Sequence, residues 1–135
     1  MKSVKQTINA FKSILPLLFS VLLLVSLATN ALPDEFYSQA FDGSWRDLIV
    51  GSGIGSIAAG NPSTSYVIGG ELASQGVGLA AITAFMVTWV TVGLVQFPAE
   101  SVLLGKKFAV ARNLTAFASA IAVAVLTTAS MGLIA

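Results

Sequence analysis

Cysteine and histidine are both missing from the 135 residues of this chain. Their absence excludes disulfides, thiolate metal sites and imidazole acid–base catalysis at once. No serine is accompanied by an identifiable base, so an intramembrane hydrolase has no support and the chain is not expected to be an enzyme. Nothing in the composition calls for a metal or a cofactor. Charge is scarce as well: 10% of residues are charged, against roughly 25% in an average soluble chain. A formal net charge of +1 is too small to imply a nucleic-acid partner. The string Gly53-x-Gly55-x-x-Ala58 imitates a dinucleotide fingerprint, but no strand precedes it and no βαβ pattern surrounds it, so it is rejected.

What the chain has in quantity is apolar surface, 56% of its residues. The lipid bilayer is therefore the expected surrounding. The length leaves room for one compact bundle, a single membrane domain over 1–135. Lys2, Lys5 and Lys12 precede Ser13–Leu32, twenty residues without a charge. A basic start, the apolar run Ile14–Ala28 and then Thr29-Asn30-Ala31 also fit a secretory signal peptide. The run is long enough for a hydrocarbon core of roughly 30 Å, and further apolar segments follow, so a retained span over 13–32 is the more economical reading. Pro16 is expected to kink or start it.

Pro33–Asp47 mixes acidic residues with Phe36, Tyr37, Phe41 and Trp45, which suits a loop at the membrane surface, but for each residue there, every carboxylate included, the expectation is a plain solvated connector. Beyond it the chain carries a helix stop and a helix start back to back. Ala58-Ala59 lead into Gly60, Asn61 suits an N-cap, and Pro62 suits the first helical position. Leu48–Ala59 and Pro62–Ala73 are each twelve residues, or about 18 Å of helix, too short to cross alone. Gly51, Gly55 and Ala59 recur at every fourth position, a small-residue face for close helix packing. Gly76-Val77-Gly78 reads as a turn, Leu79–Phe97 as a second span stopped by Pro98, and Phe108–Leu133 as a third.

Lys and Arg favour the cytoplasmic side of short loops. If 48–73 crosses once, three basic residues lie inside and four outside; if it enters and returns, six lie inside and only Arg46 outside. The second arrangement obeys the rule. The expected fold is therefore all-α: three transmembrane helices, about 13–32, 79–97 and 108–133, with a re-entrant helical hairpin over about 48–73 broken at Gly60-Asn61-Pro62. The expected location is the cell (inner) membrane, multi-pass, with a cytoplasmic N-terminus.

A broken helix inside a bilayer is tolerated where it lines a covered cavity, and transporters place solute at such breaks. The candidate binding set is Asn61, Pro62, Ser63, Thr64 and Ser65 at the tip, whose N–H groups and dipole would favour an anion or a small polar solute. Thr88 and Thr91, three apart, are expected on the opposite wall. Against this, all of these hydroxyls can simply cap or back-bond their own helices. Glu71 is the one carboxylate between the surface connector and Pro98 and a candidate for proton coupling, while Glu100 is expected to cap or to pair near Lys106 and Lys107.

The run from Gly60 to about Phe117 resembles the predicted permeases that include the organoarsenical efflux permeases. The matching pieces are Asn61-Pro62-Ser63-Thr64-Ser65, Gly76-Val77-Gly78-Leu79-Ala80-Ala81, Ala84-Phe85, Leu104-Gly105-Lys106 and Ala111-Arg112. The chain departs from that family in having no cysteine beside the motif proline and in having about half its length. The resemblance implies one half of a permease, which needs a second half: a homodimer or an oppositely oriented partner. The competing expectation is a non-transporting membrane subunit whose small-residue face packs on a partner membrane protein.

Overall fold

The computed structural model describes residues 2–31, 33, 35, 41–58 and 61–134. It is all-helical, with no strand among the described residues. Among the described residues six helices follow one another: α1 (Lys2–Ala31), α2 (Trp45–Ile57), α3 (Pro62–Ser74), α4 (Leu79–Thr91), α5 (Phe97–Leu103) and α6 (Lys106–Ile134). Among the described residues one helix, α6 over Lys106–Gly132, is long and apolar enough to cross a membrane, with mean hydropathy 1.8 over its best window. Helix α1 has 30 residues with Pro16 inside it. The carbonyl of Pro16 takes the Ser20 hydroxyl at 2.8 Å, which adds a side-chain bond just beyond the proline.

The connector before α2 is more than solvated chain. Ser44 is the N-cap and its hydroxyl accepts the Arg46 N–H. Asp47, three residues on and only 4% exposed, turns back to accept the N–H groups of Gly43 and Asp42 at 2.8 and 3.3 Å. Asp42 in turn accepts from the Ser44 N–H at 3.0 Å. Hydrogen bonds from Ser44, the hydroxyl foremost, hold the Asp42 carboxyl below its ordinary value.

Helix α4 is the centre of the bundle: α2, α3 and α6 all pack on it. The small-residue face read from the sequence is used here, within the chain. A Cβ on Gly51 would run into the Ala81 carbonyl, and one on Gly55 into the Phe85 carbonyl and the Thr88 hydroxyl. Ala59 and Gly60 lie outside the described residues. Because residue 51 meets 81 and residue 55 meets 85 and 88, α2 and α4 run parallel. Helix α3 runs the other way: Gly69 lies beside Ile82 and Met86, and Leu72 packs on Val77, Ala81 and Ile82. The turn between α3 and α4 is where the sequence placed it. Gly76 adopts φ +81°, the left-handed conformation that glycine takes without strain. Its N–H bonds Ala73 O and the Val77 N–H bonds Leu72 O, a Schellman closure with the accompanying Val77–Leu72 contact.

One expected element is corrected. The apolar run 79–97 is not a single helix. Helix α4 has 13 residues and ends at Thr91, and Val92 is extended at φ −99°, ψ 109°. The chain then turns through Gly93–Gln96, and Pro98 opens α5 instead of stopping α4. The physical reason lies on another helix: the side chain of Asn113 accepts the Gly93 N–H at 3.1 Å and supplies what a continuing helix would have given it.

Candidate functional site

The parallel and antiparallel pairings bring three helix ends to one level. Gly55 at Thr88 puts the end of α2 beside the end of α4. Ser65 and Thr91 share one recess, so the start of α3 is there too. Ser56 and Ile57 share a second recess with Val92 and Asn113. The interruption between α2 and α3 and the interruption after α4 thus lie side by side.

At the first interruption the capping chemistry is as the sequence indicated. Asn61 is the N-cap of α3, its side chain accepts the Ser63 N–H at 3.0 Å, and Pro62 stands at the first turn. The Thr64 N–H bonds Asn61 O at 2.9 Å. Pro62 has no N–H to offer, so among the first three residues of α3 both backbone donors are taken. Ser65 is buried, and its hydroxyl donates to Pro62 O at 2.7 Å. Thr64 is buried, whereas Asn61, Pro62 and Ser63 are exposed. The tip keeps its positive dipole end, with the Ser63 and Thr64 N–H groups already held by Asn61.

A groove of ≈ 350 Å³ lies between α3 and α4, formed by Ser65 and Tyr66 facing Thr83, Met86, Val90 and Thr91. Two residues expected to share a wall are separated here. Thr91 lines the groove, with its hydroxyl on Val87 O at 2.7 Å. Thr88 is fully buried in the α2–α4 seam, its hydroxyl bonded to Ala84 O and Phe85 O. Glu71 is half-buried further along α3, where it accepts from Gln75 at 3.4 Å.

The second interruption carries a polar cluster that the sequence reading did not assemble. Glu100 pairs with Arg112, at 2.6 Å, and not with Lys106 or Lys107. Asn113, 7% exposed, donates to Glu100 at 3.3 Å and to Ala109 O at 2.9 Å while it accepts from Gly93. One amide thereby ties the broken backbone, α5 and α6 together. The usable signal was an asparagine amid the apolar positions of a long helix, where an amide needs partners. Ser44 and Asp47, at capping-box spacing, were a second such signal. No group of three or more carboxylates suited to a metal ion occurs among the described residues. No protein-family model matches the chain, and neither does any curated protein or solved structure.

Proposed function

We propose that the chain is a small permease-like membrane transporter, half of a solute pathway, with its site where the hairpin tip meets the groove between α3 and α4. The observation that carries this reading is the convergence of three helix ends at one level beside that groove. Helices α2 and α3 run in opposite directions along α4, as the arms of a re-entrant hairpin must and as a single broken crossing would not. The lengths also close. Helix α2, with 13 residues, reaches about 20 Å from its start. Asn113 stands seven residues after Lys106, or about 10 Å along α6. Together these make up the roughly 30 Å of a hydrocarbon core. On this reading α1 and α6 cross whole, α4 and α5 make a broken crossing, and the hairpin enters from the side of Trp45. The six basic residues other than Arg46 then lie in the cytoplasmic half, Arg112 within the core and paired with Glu100.

The likeness to half of a permease of the organoarsenical efflux type supports the same reading and implies a second half, a homodimer or an oppositely oriented partner. The competing subunit reading loses its main feature, because the Gly51 and Gly55 face is spent on α4. The test is swelling of sealed vesicles containing the purified chain in small amines, alcohols and organic acids. Faster entry of at least one solute than into protein-free vesicles is expected, and so is its loss when Ser63, Thr64 and Ser65 are all replaced by Ala. Swelling no faster than in protein-free vesicles for every solute would leave the non-transporting subunit.

A further inference from the structure

We propose that the groove between α3 and α4 selects solutes that bring hydrogen-bond donors on an apolar body, arylammonium and alkylammonium ions above all, and discriminates against anions. The proposal rests on reading this groove as the solute site and names the solute class. It follows from where the hydroxyl protons go. Ser65 donates to Pro62 O at 2.7 Å, Thr83 to Leu79 O at 2.8 Å and Thr91 to Val87 O at 2.7 Å. Each of these three oxygens has committed its proton within its own helix, so what it offers the groove is lone pairs.

Two backbone donors at the start of α3 are committed too. The Ser63 and Thr64 N–H groups are held by Asn61, and Pro62 has none. No lysine or arginine lines the groove. To bond Ser65, Thr83 or Thr91 an anion would have to break these bonds, which leaves it the Tyr66 hydroxyl in the lining, whereas an ammonium meets three oxygens with lone pairs ready. Tyr66, 67% exposed, adds an aromatic ring, whose face attracts cations. Met86 and Val90 form an apolar floor. At ≈ 350 Å³ the space is at the small end of ligand sites, which run from about 300 to 1,000 Å³, and suits a single ring with one polar head.

The experiment compares three isosteric probes on the full chain in discs of zwitterionic lipid: para-fluorobenzylammonium, para-fluorobenzyl alcohol and para-fluorobenzoate, followed by fluorine NMR. Saturable binding in the order ammonium, alcohol, benzoate is expected, with the ammonium at least about tenfold tighter than the benzoate. Replacing Thr83 and Thr91 together by Val keeps their shape, removes two acceptors and should weaken the ammonium about tenfold. Tyr66→Leu, at an exposed position, should weaken it in an independently folded variant. Benzoate binding as tightly as the ammonium overturns the proposal. So does ammonium binding that neither variant changes, since that is partition into lipid. The measurement involves no flux, so failure of vesicle uptake and failure of this selectivity are separate results.

Discussion

Replacing glycines along α2 by alanine should split the helix into two kinds of position. Gly53 has nothing within 4 Å of its would-be Cβ. There the substitution acts through the unfolded chain and helix propensity alone and should stabilise by about 0.5–1 kcal/mol. At Gly51 the new methyl meets the Ala81 carbonyl, with Ala81 C at 3.1 Å and Cα at 3.3 Å behind it; at Gly55 it meets the Phe85 carbonyl and the Thr88 hydroxyl. The carbonyls belong to the backbone of the central helix and cannot rotate away. Helix α2 must retreat by on the order of 1 Å, which forfeits a quarter to a half of each dispersion well along the seam. Overpacking of this kind costs about 1–3 kcal/mol, and the propensity gain returns part of it, leaving a net loss of about 1–2 kcal/mol. At roughly 4 °C per kcal/mol for a chain of this size, thermal unfolding in detergent by circular dichroism should move down by about 4–8 °C at 51 or 55 and up by about 2–4 °C at 53. Three variants shifted alike, or Gly53→Ala the worst of them, would refute the parallel α2–α4 seam.

Asn113→Ala should cost about 1–3 kcal/mol, because it strands the Gly93 N–H and takes a donor from Glu100; an unchanged unfolding midpoint would show that the break holds without it. Single cysteines at Ser38, Ser74 and Lys107, in a chain with no cysteine of its own, should be labelled by an impermeant thiol reagent on intact cells at 38 and 74 and spared at 107. Labelling at 107 with protection at 74 would replace the hairpin by a single crossing. The depressed Asp42 carboxyl gives a pH dependence of definite sign. Its contribution to holding the start of α2 is present above its ordinary value of 3.8 and is lost as the pH falls through the lower folded value. Protection of the Ser44 amide against hydrogen exchange should therefore hold from neutral pH down to that range and fall below it, and Asp42→Asn should flatten the profile.

The helix starts and turns were legible because their chemistry is local. Asn61-Pro62 and Gly76 act on their own neighbours, so residue type and spacing suffice. The Gly51 and Gly55 face was legible as a surface but not as to what covers it, since a parallel partner thirty residues away leaves no mark on the pattern. The break at Val92 was hidden for the same reason. Thr88–Gln96 is apolar enough to pass for helix, and what ends it is the Asn113 amide, twenty residues downstream of Gly93. At the site, spacing put Thr88 and Thr91 on one wall. The crossing of α2 over that face then buried Thr88 and left Thr91 in the groove. Which oxygen keeps its proton for a ligand is a matter of geometry, and no composition argument supplies it.

Helices α2 and α3 meet each other little among the described residues, and both lie against α4. During synthesis α2 therefore has no helix to hold it until residues 79–91 have left the ribosome, whereas α3 can already lie against α1. On the proposed membrane reading, a nascent chain that stops near Gly78 carries an α3 with α1 as its partner and an unsupported α2, too brief to cross a bilayer alone. At about 5–20 residues per second the gap between making α3 and completing α4 is of order one second. In that interval, on the same reading, α2 has to wait at the membrane surface or under the cover of the insertion machinery. Docking of α2 is then a late event that awaits α4, so chains released before α4 is made should be cleared by proteolysis.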